Sequence, residues 1–403
     1  MELFWLEHKK LWRKKIVKIC VLLCFVYCVI FGSILSFQWF CFGSSDDYTS
    51  AFGNNFDGYT VIKDSQEYAL SFGGELTDET LQQIVSDYQQ MEADGMEEEL
   101  EKTDWQIVNS WLGTLYPELR DTSNYKTMIS YVDPDKLTGF YERRQQVLDE
   151  FLEVSGQVGA EKEFLHQIER KVEKPFRYEW VEGWSTLLGS MVADLGVVMA
   201  LFLGIVLSSL FAGEWHDNTS TLVLTTRNGW GKIALAKILT GLAFTVELFA
   251  LLAVSSVISQ LFFMGTAGWD MPIQNIKLIA VAPMNMLQAE IYEYAFVLLG
   301  AIGFAGIVMF ISAAVKNNVL TLLLSLAVVY GPMMIAEYLP YGMQKALDLI
   351  PLVGSSTDIF RTNTFRIFGK LIWSPYLLIT IPVLIGILCM PFAIKSWSRR
   401  MKA

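Results

Sequence analysis

Charge is missing from long stretches of this chain, and that leaves few folds open to it. Apolar runs of about 20 residues recur along it, parted by short polar or basic seams, and one acidic block interrupts them. A run of that length crosses a bilayer as a helix, because a helix satisfies its own backbone N–H and C=O groups without water. Only 18% of the 403 residues are charged and 53% are hydrophobic, where soluble domains carry nearer a quarter charged. The expectation is an all-α polytopic membrane protein with one soluble domain.

The net charge of -11 conceals two opposed regions. About 30 acidic and about a dozen basic residues lie between positions 43 and 185, a block near -18, which leaves about +7 on the rest. Such a block reads first as a solvated surface and second as an attractor of cationic peptides. Acidic charge beside basic membrane seams argues against nucleic acid as a partner. Cys20, Cys24 and Cys28 recur every four residues, which puts them on one helix face as small packing groups. The acidic block has no Cys, so it has to hold together by its core. No cleavage site closes the first apolar run, which reads as a retained anchor.

Residues 1–15 read as an amphipathic helix lying in the membrane interface. Leu3, Phe4, Trp5, Leu11 and Trp12 alternate with Glu7, Lys9, Lys10, Arg13, Lys14 and Lys15. Those basic residues set the N-terminus on the cytoplasmic side. Spans are predicted at 16–40, 186–212, 234–264, 289–314, 319–338 and 372–394, so that six helices return the C-terminus, with Lys395, Arg399, Arg400 and Lys402, to the cytoplasm. The acidic domain, 41–185, is then extracellular and inserted between the first two helices. The remainder, 186–403, carries the other five, with a cytoplasmic loop at 213–232. Residues 265–286 are expected to be external or re-entrant, and 340–370 to form short helices at the outer surface.

Within the acidic domain, Thr77-Asp78-Glu79 predicts a capped helix start, followed by a stripe of Leu81, Ile84, Val85 and Tyr88. Asp133-Pro134 predicts a second start, with Phe140, Val147, Phe151 and Leu152 on its face. A third helix is predicted over 160–172, ended by Pro175. Tyr178 to Trp184 reads as an aromatic belt where the chain meets the membrane.

Catalytic signatures are absent. Three His occur in the chain, and there is no HExxH, CxxC or GxSxG. Neither Gly231-Lys232 nor Gly369-Lys370 has the earlier Gly of a phosphate loop, so this chain is not expected to hydrolyse ATP itself. No catalytic residue, metal ligand or cofactor is assigned to it.

The seam after the second span reads Phe211-Ala212-Gly213-Glu214-Trp215-His216-Asp217-Asn218-Thr219-Ser220-Thr221-Leu222-Val223-Leu224-Thr225-Thr226-Arg227-Asn228-Gly229-Trp230-Gly231-Lys232. A Glu closing a span, a polar turn, a Leu-Thr stretch, an Arg and a Lys entering the next span together resemble the membrane subunit of ABC-2 type transporters. Trp215-His216-Asp217-Asn218 and Asn228-Gly229-Trp230 depart from the usual residues of that pattern. The large domain after the first span resembles a subset of Gram-positive permeases, many associated with antimicrobial-peptide export or immunity. The resemblance implies that the seam is a coupling helix docking on an ATP-binding subunit, with Glu214, Thr219, Leu222, Thr225 and Arg227 contacting or positioning it. It further implies a bacterial cell-membrane location, two copies of that ATP-binding subunit, with ATP and Mg held there, and a second permease copy or a related permease. An ordinary capped loop is the competing reading of the seam.

Inside the spans, Asp194 and Glu247 are candidate pathway or ion-coupling residues, since a carboxylate at membrane depth has to face protein or water. Glu290, Glu293 and Glu337 lie near helix ends, where interfacial water is expected to reach them. Gly300, Gly303 and Gly306 give the fourth span a small-residue face for close packing. The expected function is the permease subunit of an ABC exporter moving an amphipathic peptide or lipid-like substrate outward or out of the membrane. An ion-driven secondary transporter and a peptide sensor are the alternatives.

Overall fold

The structure, a computed structural model, describes residues 2–30, 66, 73–96, 106–121, 126–217, 219, 231–354 and 362–399. It is mostly helical. α1 (Glu2–Arg13) and α2 (Lys15–Val29) come first, and α2 buries Cys20, Cys24 and Cys28 along one face. The predicted first span extends past α2 into residues outside the described ones.

The acidic block contributes β1 (Gly74–Leu76), α3 (Asp78–Ala93), α4 (Gln106–Leu115), α5 (Phe140–Val154), α6 (Ala160–Glu169) and β2 (Phe176–Tyr178). β1 and β2 pair antiparallel, Gly74 opposite Tyr178, which ties the chain just before α3 to the chain after α6. Thr77 caps α3 by accepting from the Thr80 N–H at 3.2 Å, as its sequence predicts. Asp78 reaches across to the start of α5, accepting from the N–H groups of Gly139 at 2.7 Å and Phe140 at 2.9 Å. That placement corrects the second predicted start. Pro134–Lys136 forms only a 3-10 turn, and α5 begins after Gly139, whose φ of 72° suits a residue without Cβ. The third helix stops at Glu169, short of the expected 172.

After α7 (Glu182–Thr186) and a π-helical turn, five helices among the described residues are long and apolar enough to cross a membrane. They are α8 (Val192–His216), α9 (Gly231–Met264), α10 (Met286–Ala314), α11 (Asn318–Ile335) and, after the short α12 (Tyr341–Leu347), α13 (Ser374–Arg399). At 1.5 Å per residue, the 34 residues of α9 reach about 51 Å, well beyond a hydrocarbon core of about 30 Å. The surplus lets α9 meet α1 near one end and the acidic block at the other. In the chain before α13, α12 is one of the predicted short helices, but the rest departs from the prediction. It folds back as a hairpin, β3 (Thr364–Ile367) with β4 (Lys370–Trp373).

α10 is the central post, packed against α8 and α13. Its glycine face does what its spacing predicts: a Cβ on Gly303 would meet the Pro382 carbonyl, and one on Gly306 the Gly386 backbone. Trp180 and Trp184 do not form a lipid-facing belt. Both are buried, donating to the carbonyls of Met264 and Thr266. They pin the acidic block to the end of α9. A second peg is Arg144 of α5, fully buried. It donates to Leu278 O at 2.7 Å, Ala280 O at 3.1 Å and Glu169 at 2.6 Å.

Candidate functional site: a charged node at one end of the bundle

Glu214 closes α8 within its last turn, and its side chain is only 3% exposed. A lone carboxylate could not remain there, since burial strips its hydration. Lys237, a turn and a half into α9 and equally buried, donates to it at 2.8 Å. Lys10 of α1 donates at 2.6 Å, and the Thr219 hydroxyl completes the set. Lys237 also donates to Glu7 of α1 at 2.8 Å, and Lys14 donates to Ser209 of α8 at 2.9 Å. α1, α8, α9 and the start of the seam therefore meet at one carboxylate.

The charges are arranged by spacing. Glu7, Lys10 and Lys14 fall three and four residues apart, which aligns them on one face of α1 and onto the next helix start. Burial opposes the charge on Lys10, but the Glu214 hydrogen bond and the nearby carboxylates outweigh it and raise its pKa above the ordinary value. Lys14 is shifted the other way: burial lowers its pKa, and the neighbouring Lys237 and Lys10 add to the effect. The cavity at the centre, lined in part by Glu7, Lys14, Asp217 and Lys237, measures about 20 Å³, room for one water. The node is thus a packed joint rather than a ligand pocket.

Of the five predicted coupling residues, Glu214 and Thr219 are brought together here, but Glu214 belongs to α8 rather than to the loop. Leu222, Thr225 and Arg227 lie outside the described residues. Lys10 and Lys237 as partners of Glu214, with Lys14 beside them on Ser209, were missed by the sequence reading. The signal was present, as a lysine inside an apolar run and a charged stripe on α1.

Asp194 and Glu247 are not brought together. Glu247, 43% exposed, faces α1, accepting from Trp12 Nε1 at 3.0 Å with His8 Nε2 at 3.2 Å. Asp194 is exposed and sits beside Tyr27 of α2. Glu290 and Glu293 correct the sequence expectation. They are 4% and 0% exposed rather than reaching interfacial water, because α10 starts at Met286 beneath the packed segment 270–285.

A larger cavity, about 350 Å³, opens where the acidic block meets that segment, with Lys171, Glu173, Arg177, Asp270, Gln274 and Gln288 on its walls. Among the described residues no group of three or more His, Cys, Asp or Glu could hold a metal ion. Comparisons with protein-family models, with curated proteins and with solved structures find no match.

Proposed function

We propose that this chain is the permease subunit of an ATP-driven ABC-2 type exporter, embedded in a bacterial cell membrane with the node on the cytoplasmic side and the acidic block outside. The observation that carries this reading is the buried Glu214 carboxylate joining α1, α8 and α9 at the start of the seam. Force applied to a seam so anchored moves two spanning helices together, which is what a subunit driven by a separate ATPase requires. The ATPase, present in two copies, supplies ATP and Mg chemistry, and a second permease completes the pore.

The substrate class is an amphipathic peptide or lipid-like molecule. Two features support it: the polar cavity of about 350 Å³ at the junction of block and bundle, and its walls carrying both charge signs. A molecule with a charged head and an apolar body could leave the helices and be held there.

Affinity purification from the native host tests the reading. A stoichiometric P-loop ATPase is expected to co-elute, and its absence under mild detergent would defeat the proposal. Glu214 sits in buried ion pairs, so its removal disturbs packing as well as docking. Leu222→Asp is the cleaner variant, expected to abolish stimulation of the partner's ATPase while the permease still folds.

A further inference from the structure

Glu290 lies in the second turn of α10, 4% exposed, and neither of its carboxyl oxygens makes a hydrogen bond of ordinary geometry, the Tyr294 hydroxyl one turn on being the polar group that approaches it. Among the described residues no cationic side chain reaches it. The register across the helix contact is set one turn deeper, where the Ser256 hydroxyl of α9 and the Tyr294 hydroxyl of α10 are 2.8 Å apart. The two helices run antiparallel, so one turn along from that pair Gln260 of α9 stands level with Glu290 of α10. Gln260 is fully buried, and neither its amide nitrogen nor its oxygen has a partner.

An unpartnered amide and an unpartnered carboxyl on facing helix stripes are each costly, and a buried carboxylate with no cation beside it also carries an uncompensated charge. What neutralises that charge has to be positive and has to fit between helices already in contact. A proton meets both conditions. Bound to Glu290, it converts an acceptor-only carboxylate into a donor facing an amide with an unused acceptor oxygen. We propose that Glu290, Gln260 and the Ser256–Tyr294 hydroxyl pair form an intramembrane proton-binding site, with Glu290 holding the proton.

The titratable surroundings are few. Glu293 and Tyr294 share α10, Cys28 of α2 approaches Tyr294 and Ser255, Glu182 lies on α7, and the segment before α10 carries Asp270, paired with Arg177, and Lys277. Asp194 of α8 turns to Tyr27. α9 presents no charged residue at this level, α11 carries none, and the charged residues of α13 lie at its far end. Release of the proton leaves a bare charge between α9 and α10 and favours their separation, so the site links opening of this helix pair to proton release. It does so whether the chain is driven by ATP or by an ion gradient.

Infrared spectroscopy of the full-length protein in lipid nanodiscs, across a pH series, is the test. At neutral pH a carboxylic-acid C=O band is expected that moves on 13C-glutamate labelling, disappears in E290Q, survives in E293Q, and gives way to carboxylate absorption as pH rises. Wild-type protein with no glutamate acid band at neutral pH overturns the proposal, as does a band that persists in E290Q. Carboxylate absorption that responds to Na⁺ instead of pH overturns it too, in favour of an alkali ion. Should E290Q not fold, carbodiimide modification of the wild type, mapped by mass spectrometry, replaces it. Reaction at Glu290 that weakens with rising pH is expected, and reaction confined to other carboxyls refutes the site.

Discussion

Two lysines hold the same carboxylate at nearly the same distance, and replacing each in turn separates the effect of burial from that of proximity. Lys10 lies 2.6 Å and Lys237 2.8 Å from Glu214, so distance alone would favour Lys10. The Lys10 side chain is 51% exposed, the Lys237 side chain 2%. Removing one member of a buried pair strands the other and costs about 3–5 kcal/mol, while half-exposed pairs contribute about 0–1 kcal/mol. Lys237→Met leaves Glu214 with Lys10 and Thr219 but also takes the partner of Glu7, so its cost is expected within that range, about 3–5 kcal/mol. Lys10→Met leaves the buried pair whole and is expected to cost about 1 kcal/mol or less. Equilibrium unfolding in mixed micelles, followed by tryptophan fluorescence, reads both. The double variant Glu214→Gln with Lys237→Met is expected to lose less than the two single losses added, because neither charge is then stranded. Lys10→Met costing as much as Lys237→Met, or additive losses in the double variant, would refute the claim that burial rather than distance sets the strength of this joint.

Other outcomes follow from the same structure. Arg144→Met removes a fully buried guanidinium that pegs the acidic block to residues 278–280, and is expected to cost about 3–5 kcal/mol and to expose the block to limited proteolysis. Burial opposes the charge on its partner Glu169, but Lys174 and Arg144 outweigh that and hold its pKa below the ordinary 4.5. Its stabilising effect is therefore complete above 4.5 and is lost as pH falls through the depressed value, which thermal melting in acid should show, with a weaker pH dependence in Arg144→Met. Gly306→Val forces a side chain against the Gly386 backbone and is expected to cost at least about 1–3 kcal/mol. Gly331→Ala in α11 meets nothing within 4 Å and is expected to stabilise the helix by roughly 0.5–1 kcal/mol, measured in the same unfolding assay.

What the sequence made legible was whatever repeats along one helix. Five of the predicted spans appear as helices with ends shifted by a few residues, because an apolar run of spanning length is a local property. The glycine face of α10 was legible for the same reason: three glycines at helical spacing mark a close approach without naming the partner. The hairpin before α13 was not legible, since Thr364 to Trp373 pair across a turn at Phe368-Gly369 whose demand for positive φ shows only once the strands are placed.

The carboxylates show where one-dimensional reading stops. Asp194 and Glu247 lay inside their apolar runs and so read as candidates for a pathway or ion-coupling role, with Glu290 and Glu293 near a helix end and therefore wet. Depth along a helix is not depth within a protein. Glu247 sits well along α9 yet faces outward, where α1 lies across it and supplies Trp12 and His8. Glu290 is buried near the start of a helix whose first N–H groups donate to Trp269 and Met271, at the head of a segment that itself hangs from Arg144 of the acidic block. The block therefore bears on the surroundings of Glu290 through that segment. Loosening the Arg144 peg should admit water to Glu290, and Arg144→Met is expected to weaken the Glu290 acid band in the infrared spectrum at unchanged pH. An unaltered band in a variant whose block is demonstrably released would show that α9 and α10 alone keep that carboxyl dry.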